Sequence, residues 1–356
     1  SAGVNPLRGQ NNVQGACDMG SDPGKYPGYQ GVDDPASHAK FEKAWGVKLP
    51  AKKGLMLPKS FQLANEGVMK AFYIMGQDPM MSEPNIDYIK SALETAEFVV
   101  VQDIFLTETA KLADVVLPGT TFAEKDGTFT NSERRVQRVR KAIEPIGNSM
   151  PDWKILCEVS KRMGYDHGLD SPSDIWDEVA SLAPNFAGIN YARIEKVGLQ
   201  WPCTDTEHSG TKFLHKGKFT RGLGKFHALP HRPPAEQPDS EYPLVLSTGR
   251  TLYHYNAATM TRRSAGIVQK SDEAFVEIHS NDADSLGINH GEIVRIITRR
   301  GKVEARADVS TKVKEGIIWM PFHFVEACAN KLTIGAYDNI TMTAEYKVCS
   351  VRLEKL

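Results

Sequence analysis

The feature that most constrains the fold is an alternation of short apolar runs with helical segments between residues 68 and 118. VMKAFYIMG predicts a strand that ends in a glycine turn, and IDYIKSALETA has the spacing of an amphipathic helix. EFVVVQD predicts a second strand, TETAKLA a short helix, and DVVLP a third strand. This βαβαβ order predicts a parallel sheet with right-handed crossovers.

Polar residues follow two of these predicted strands and mark a candidate binding edge. GQDP (76–79) comes directly after the first strand, and Gln102 and Asp103 end the second. Ligands of parallel sheets bind beyond the carboxyl ends of the strands, so we expect both sets of residues at one edge. Ordinary turn formation is the alternative, because Gly, Asp and Pro form turns without any ligand.

Beyond residue 240 the pattern changes to β-structure. Strands are predicted in PLVLSTGR, AFVEIHS, EIVRIITRRGKVEARADV and GIIWMPFHF, with a short helix in SNDADSLG that Asn281 would cap. A barrel-like domain of about a hundred residues is the expected packing. The preceding segment, 205–240, is rich in Gly, Lys, His and Pro, which predicts a linker. PDWKILCEVSKRMG and SPSDIWDEVASLAP predict two amphipathic packing helices.

Composition excludes several classes of protein. The formal net charge of −1 gives no overall electrostatic case for binding nucleic acid. No run of about 18 apolar residues exists, so no membrane span is predicted. The five cysteines are scattered without a CxxC pair, which indicates reduced thiols in a cytoplasmic compartment. The chain opens on SAGVNPLRGQ, with neither Met nor a signal peptide, so we expect that it starts inside a longer protein.

A polar segment near the start, NPLRGQNNVQGACDMG (5–20), contains no apolar run that could be buried. Glycine lets the backbone approach a ligand closely, and Asn and Gln amides supply both donors and acceptors. The segment is therefore typical of a loop that wraps a polar ligand. A solvated surface loop is the alternative.

The one dense basic run is ERRVQRVRK (133–141). Nucleic-acid binding would need a wider basic face with aromatic residues for stacking, and the sequence shows neither. Two interpretations stay open for this run. It forms a solvated strand edge, or it faces a cofactor or a partner protein.

Several stretches together resemble the molybdopterin-dependent oxidoreductases, and most of all the catalytic subunit of formate dehydrogenase. They are RGQNNVQGACDMG with YPGYQ, IMGQDP, VVQDIFLTETAKLADVVLPGTTFAEKDGTFTNSERRVQ, LSTGRTLYHYNAATMT and AEYKVCSVRLE. The resemblance covers essentially the whole chain in order. It implies an α/β parallel-sheet domain followed by a mostly β, barrel-like C-terminal domain. The implied boundaries are a loop at 1–20 that belongs to a preceding domain, a partial dinucleotide-binding domain at 21–215 and a barrel at 216–356.

The resemblance implies interconversion of formate and CO2 at a molybdenum or tungsten centre held by bis-molybdopterin guanine dinucleotide. It also implies that this chain is the C-terminal half of the catalytic subunit. The family's N-terminal half carries a 4Fe-4S cluster and the selenocysteine or cysteine metal ligand, so we expect no activity without it. Cys17 is then a buried structural thiol, and no residue here is expected to bind metal. The implied partners are that N-terminal half and electron-transfer iron–sulfur subunits, in the cytoplasm.

The resemblance assigns substrate contacts to the first loop. Arg8 matches the family's substrate-binding arginine, and a planar guanidinium binds a carboxylate through two hydrogen bonds. Gln10 is expected to orient formate or a metal ligand. Without the resemblance, an arginine in a polar loop is more often a plain surface charge.

The cofactor implied by the resemblance needs partners for its guanines, diphosphates and pterins. Asp78 or Asp103 would accept hydrogen bonds from guanine N–H groups, and backbone N–H groups with cations would bind the diphosphate. The expected diphosphate contacts are Gly76, Thr107, Thr109, Thr248, Gly249 and Arg250, and the expected pterin contacts are His254, Tyr255 and Asn256. Further cofactor contacts are expected at Gly9, Gln102, His323, Asn330, Tyr346 and Lys347. His323, flanked by aromatic residues, is alternatively a core histidine.

Two rival functions stay open at this stage. Another molybdopterin enzyme, such as a nitrate reductase or the large subunit of a respiratory complex, would share the cofactor residues. A non-catalytic scaffold subunit would keep the fold without the metal. The RGQNNVQGACDMG loop favours the formate dehydrogenase interpretation over both.

Overall fold

The computed structural model describes residues 5–356. The α-helices of this part are α1 Val13–Asp18, α2 Pro35–Trp45, α3 Leu57–Asn65, α4 Pro79–Ser82, α5 Ile86–Thr95, α6 Asp152–Arg162, α7 Pro172–Leu182, α8 Ala265–Val268 and α9 Ser280–Leu286. None of them combines the length and apolar character that crossing a bilayer requires.

The strands, in chain order, fall into four sheets. They are β1 Lys25–Tyr26, β2 Gln30–Gly31, β3 Ala71–Met75, β4 Phe98–Asp103, β5 Val115–Pro118, β6 Gly127–Thr130, β7 Arg135–Val139, β8 Leu199–Gln200, β9 Leu244–Gly249, β10 Phe275–His279, β11 Ile293–Ile297, β12 Lys302–Ser310, β13 Ile317–Pro321 and β14 Cys349–Lys355.

The chain forms two compact units. The first contains the chain up to Met56 together with Pro118–Ala228, and the second contains Leu57–Leu117 together with Leu229–Leu356. The boundaries of these units differ from those of the three segments implied by the resemblance. That three-segment division stays a prediction. The predicted βαβαβ segment thus belongs to the same unit as the barrel.

The predicted parallel sheet is confirmed in the second unit. β3 and β4 pair in parallel, with Ala71 opposite Phe98, and β4 lies between β3 and β5. The amphipathic helices α3 and α5 cover the sheet, and Phe61, Ile89 and Val101 are almost completely buried among them. The apolar periodicity of the sequence therefore reflects one helix-covered sheet.

The predicted barrel is also confirmed in the second unit. Six strands close in the order β10, β12, β11, β14, β9, β13, with parallel and antiparallel neighbours. Its interior is filled by fully buried aliphatic side chains such as Leu246, Ile296 and Ile318. The expected cap of α9 was wrong by two residues. The His279 ring nitrogen accepts from the Asn281 N–H, so Asn281 lies inside the helix.

The first unit is built around a small antiparallel sheet, in which β7 lies between β6 and β8. The predicted helices at 151–164 and 171–184 are confirmed as α6 and α7. Trp176, Phe186 and Trp201 are buried together in the core of this unit. These aromatic residues give the unit a core of its own, separate from the barrel.

Candidate functional site

The edge of the parallel sheet brings several predicted residues together, as expected for two strands that end side by side. Asp78, after β3, accepts hydrogen bonds from the Thr109 hydroxyl at 2.6 Å and the Thr109 N–H at 2.9 Å. Burial raises the pKa of Asp78, while these two hydrogen bonds lower it. The Thr109 hydroxyl oxygen in turn accepts from the Met80 N–H at 3.1 Å. Asp78 is therefore already committed to holding the edge together.

The other predicted residues of this edge also make contacts within the chain. The Tyr73 hydroxyl donates to fully buried Gln102 at 2.5 Å, and the Asp103 carboxylate accepts from the Ile104 N–H. Thr107 accepts from the Ala110 N–H and so starts a short helical turn. Gly76 adopts a left-handed φ of 62°, which glycine permits at the end of β3. The sheet edge is thus a rigid platform rather than a mobile loop.

A cavity of about 370 Å³ lies within the second unit, between the sheet edge and the mouth of the barrel. We call it the barrel-mouth cavity. Six residues predicted from the resemblance line it, which are Thr248, Arg250, Asn256, Asn330, Tyr346 and Lys347. The remaining lining residues are Gln77, Ser82, Glu83 and Phe322. Residues from the end of β9, from the segment before β14 and from the turn after β3 therefore meet in one place.

Two cations give one side of the barrel-mouth cavity a positive charge. The Arg250 guanidinium lies over the Phe322 ring, 5.5 Å from its centroid. The Lys347 ammonium donates to the Thr248 carbonyl, and burial lowers the pKa of Lys347. Both cations line the cavity, which suits a phosphate or another anion.

Glycine is required where β9 enters the cavity. A Cβ atom on Gly249 would lie 2.3 Å from the Trp319 indole nitrogen, so no larger residue fits without moving that ring. The Thr248 hydroxyl, one residue earlier, donates to the Tyr346 carbonyl at 2.8 Å. The STGR turn is therefore shaped by packing against β13 and the segment before β14.

Glu83 is a functional candidate that the sequence reasoning missed. It lines the barrel-mouth cavity and is 8 % exposed, and burial raises its pKa. Within residues 5–356, its carboxylate has one hydrogen-bond partner, the Ser82 hydroxyl at the long distance of 3.4 Å. The signal in the sequence was weak, because a single Glu in MSEPN is equally typical of a surface turn.

The side chains of His254 and His323 form hydrogen bonds that stabilise the segment after β9. The His323 ring accepts from the Thr251 N–H at 2.8 Å and donates to the Asn256 carbonyl. The ring nitrogens of His254 contact the Thr261 hydroxyl and the Ser271 carbonyl. With both nitrogens occupied, these rings hold residues 251–271 in place, and the expectation that they bind cofactor stays a prediction.

The burial of His323 predicts a pH dependence of stability. Burial lowers the pKa of His323 to about 4, whereas an unfolded histidine titrates near 6.5. The unfolded state therefore takes up a proton first as the pH falls, and stability contributed by His323 is present above pH 6.5 and lost toward pH 4. We expect this residue to account for about 2 kcal/mol of the stability lost between roughly pH 7 and 5.

His323→Gln tests this expectation. Urea unfolding of both proteins at the two pH values should show a smaller pH-dependent loss of stability in the variant. His227 is exposed and serves as the control, so His227→Gln should lose as much stability between the two pH values as the unchanged protein does. An identical pH dependence in His323→Gln and in the unchanged protein would contradict the assignment.

A second cavity, of about 300 Å³, is lined in part by His323 and Asp78 in the same unit. It contains Arg262 and Arg263, but both have partners. Arg262 makes a two-bond ion pair with Glu326, and Arg263 lies 4.7 Å from the centroid of the Phe105 ring and donates to the Leu106 carbonyl. These charges therefore support neighbouring loops.

The polar loop 5–20 is anchored in the first unit by one buried carboxylate. Asp18 is fully buried and accepts hydrogen bonds from the Gln14 amide, the Tyr29 hydroxyl and the Trp201 indole N–H, each at 2.8 Å. Burial raises the pKa of Asp18, and these three donors lower it. The Asn12 side chain accepts from the Thr130 N–H. Helix α1 is thereby fixed against β6 and the aromatic core.

The predicted substrate residues precede this anchor. Arg8, Gly9 and Gln10 are exposed, and Arg8 lies close enough to Asp18 to act on its charge. Within residues 5–356 the Arg8 guanidinium makes no hydrogen bond or ion pair of its own. A fixed helix thus follows a loop whose arginine fork is available to bind an anion.

The basic run 133–141 is neutralised inside the first unit. The Arg138 and Arg140 side chains pair with Glu195, and Arg138 also stacks on the Tyr191 ring. The Arg134 guanidinium lies 5.5 Å from the Trp201 ring and donates to nearby carbonyls. Strand β7 therefore uses its charges for internal packing, which favours the strand interpretation over the partner-binding one.

The cysteines are all free thiols in the described part of the chain. Cys17 is half-buried, rather than buried as expected. Between residues 5 and 356, no group of three or more His, Cys, Asp or Glu side chains is arranged to hold a metal ion.

Comparison with known families agrees with this geometry. The family model described as "Molybdopterin oxidoreductase" matches residues 2–162, and the model described as "Molydopterin dinucleotide binding domain" matches residues 244–350. The second match contains β9, the Gly249 turn and most of the barrel-mouth lining. The chain belongs to the molybdopterin oxidoreductases.

Relatives within this family extend over the whole chain. It is 51% identical over 359 residues to the F420-dependent formate dehydrogenase 2 subunit alpha of Methanococcus maripaludis, covering 99% of this chain and 53% of that protein. It is 43% identical over 362 residues to formate dehydrogenase H of Escherichia coli, covering 100% of this chain and 51% of that protein. The chain thus spans about half the length of the curated relatives it matches.

A solved structure supports the fold. Acetylene hydratase from Pelobacter acetylenicus superposes with a TM-score of 0.66 at 19% identity, covering 91% of this chain and 50% of that one. At this identity the likeness concerns the fold alone.

The side chains of the barrel-mouth cavity fit a molybdopterin dinucleotide. Arg250 and Lys347 provide positive charge for a diphosphate, and Glu83 provides a carboxylate that could accept from a polar heterocycle. The glycine at 249 keeps the end of β9 free of a side chain at this point. These residue types match the charge and hydrogen-bonding pattern of a nucleotide.

Proposed function

We propose that this chain is part of a molybdenum- or tungsten-dependent formate dehydrogenase that interconverts formate and CO2. The observation that carries the proposal is the 43% to 51% identity to formate dehydrogenase subunits along the entire chain. The polar loop with an available arginine supports it from the structure. A nitrate reductase, a respiratory-complex subunit or a scaffold would share the fold, but the relatives reported above are formate dehydrogenases.

In this proposal the chain binds bis-molybdopterin guanine dinucleotide through its second unit. Arg250, Lys347 and the N–H groups around Gly249 bind diphosphate, and Asn256 and Tyr346 contact the heterocycles. When bound, the molybdenum or tungsten centre would supply the acceptor for the two electrons that formate loses. We expect an iron–sulfur cluster and the metal's protein ligand to come from residues other than these 356, so that these residues alone are inactive.

The first unit supplies the substrate contact in this proposal. The Arg8 fork donates two hydrogen bonds to the formate oxygens and so fixes the orientation of the C–H bond. Gln10 donates to the same carboxylate. Oxidation of formate to CO2 releases one proton and two electrons, and iron–sulfur partner subunits carry the electrons away. The five free thiols agree with a cytoplasmic enzyme.

Formate turnover by the full-length protein tests this function. The protein is purified without oxygen and supplied with ¹³C-formate and either a viologen dye or F420, the acceptor named for the archaeal relatives. We expect ¹³CO2 formation, and no reduction of nitrate when reduced dye is the electron donor. A protein with full metal and pterin content that leaves formate unchanged would contradict the proposal.

The role of Asp103 gives a second test. If its carboxylate binds a guanine, Asp103→Ala should lower the pterin content of the purified protein, because a buried guanine loses a charged acceptor worth about 1.5 to 3 kcal/mol. Glu97, an exposed carboxylate paired with Lys70 at the start of the same strand, provides the matched control Glu97→Ala. Full pterin content in Asp103→Ala would remove Asp103 from the guanine site.

A further inference from the structure

Glu83 is a buried carboxylate in the barrel-mouth cavity, and the contacts described above do not explain why a charged group is buried there. Asp78, five residues earlier, is engaged by both the hydroxyl and the N–H of Thr109. Within residues 5–356, the Glu83 carboxylate instead has one hydrogen-bond partner, the distant Ser82 hydroxyl. Yet Glu83 is only 8 % exposed to solvent. A buried carboxylate with so little hydrogen bonding is costly unless a ligand completes it.

The backbone around Glu83 is held from the barrel side. The Asn330 amide donates to the Met81 carbonyl at 2.8 Å, and the Tyr346 hydroxyl donates to the Ser82 carbonyl at 2.9 Å. These contacts fix the end of α4, where Glu83 adopts an extended conformation. The position of the carboxylate is therefore built into the cavity and does not depend on a mobile loop.

The cavity has opposite charges on different lining residues. Glu83 supplies a carboxylate, while Arg250 and Lys347 supply cations. A ligand that binds both the cations and the carboxylate must carry an anionic group and, at another position, adjacent N–H donors. A nucleotide with a 2-amino-4-oxo heterocycle has this combination, because its ring N–H and its amino group lie side by side.

We propose that Glu83 is the acceptor that recognises the 2-amino-4-oxo edge of the bound cofactor and thereby selects guanine over other bases. The inference rests on the proposed function, and it names the chemistry that the cavity distinguishes. Two carboxylate oxygens accept from the ring N–H and the amino group together. Cytosine and adenine place a ring acceptor beside their amino group, so one carboxylate oxygen would face a lone pair. Guanine and pterin share the recognised edge.

The test is nucleotide binding to cofactor-free, full-length protein, measured by isothermal titration calorimetry with GDP, IDP and CDP. IDP differs from GDP only by the missing amino group. We expect GDP to bind about ten- to a hundredfold more tightly than IDP, the range for one hydrogen bond to a charged acceptor. This comparison uses the unchanged protein, so it does not depend on the folding of any variant. Equal affinities for GDP, IDP and CDP would overturn the inference.

Variants then assign the effect to this residue. Glu83→Gln should bring the GDP-to-IDP ratio close to one, whereas Glu108→Gln should keep it, because Glu108 lines the second cavity. Guanine and pterin present the same edge, and titration with 6-hydroxymethylpterin distinguishes them. If Glu83→Gln loses affinity for this pterin but not for GDP, the pterin rather than the guanine lies at Glu83. A Glu83→Gln protein that keeps both the GDP-to-IDP ratio and its pterin affinity would overturn the inference.

Failure of the proposed function would look different. If the purified holoprotein contains guanine nucleotide and oxidises formate while Glu83→Gln retains discrimination, only the role of Glu83 is wrong. If the holoprotein contains no pterin, the proposed function itself is wrong.

Discussion

Replacing Arg8 with lysine is expected to lower kcat/KM for formate while leaving the metal and pterin content unchanged. Lysine keeps the positive charge but loses the planar fork that binds both formate oxygens. The expected loss is about 2 to 4 kcal/mol, or roughly thirty- to a thousandfold, the range for one preorganised electrostatic contact. Steady-state formate oxidation by the full-length enzyme measures it, with metal and pterin quantified in the same preparation.

Arg221 provides the matched control for this experiment. It is an exposed arginine of the same unit with no ion pair among the described residues, so Arg221→Lys should leave kcat/KM unchanged. Near-unchanged kcat/KM in Arg8→Lys would show that two-bond geometry is dispensable. A fall accompanied by loss of metal or pterin would make Arg8 a cofactor contact instead.

The second large effect concerns the stability of the barrel. Glu236 is 8 % exposed and pairs with Arg300 through two hydrogen bonds of 2.7 Å, with Arg299 at 2.8 Å and with the Ser350 N–H at 3.0 Å. Burial alone would raise the pKa of Glu236, but the donors from Arg300 and Ser350 outweigh it and keep the pKa below its usual value. The carboxylate therefore ties the segment before β9 to the β11–β12 hairpin.

Glu236→Ala is expected to destabilise the barrel by about 2 to 4 kcal/mol, because it leaves the largely buried Arg300 guanidinium without its carboxylate partner. The depressed pKa means that this stability is present at neutral pH and is lost only when the pH falls through the folded-state pKa. Thermal unfolding of the purified protein measures the loss. Glu241→Ala is the control, since Glu241 is exposed and its pair with Arg352 is worth about 1 kcal/mol or less. Equal transition temperatures for both variants would contradict the account.

The strands and helices with an uninterrupted pattern of apolar residues were predictable from the sequence. The run VMKAFYIMG and the helix pattern of IDYIKSALETA carry local information, and the structure confirms both as β3 and α5. Lining residues such as Arg250 and Lys347 were reached only through the resemblance, because nothing local relates two positions so far apart in the chain. Glu236 lies in a segment predicted to be a linker, and its burial depends on arginines about sixty residues later.

The limits of the sequence are clearest for the buried polar groups. His254 and His323 stay candidates for cofactor contacts, but the sequence did not predict that their ring nitrogens are engaged by Thr251, Thr261 and backbone carbonyls. Asp78 stays a candidate guanine acceptor, and one of its carboxylate oxygens accepts two hydrogen bonds from Thr109. Such partners are set by tertiary packing, which residue types and spacing do not specify. Glu83 shows the converse case, a carboxylate whose neighbours leave room for a ligand.

Analysis of the bound nucleotide tests the central claim most directly. The full-length protein is purified without oxygen, its cofactor is hydrolysed with acid, and metal, pterin and released nucleotide are quantified per polypeptide. The account predicts molybdenum or tungsten together with a pair of pterins and a matching amount of GMP. Release of CMP or AMP in place of GMP, or a protein without pterin, would contradict it.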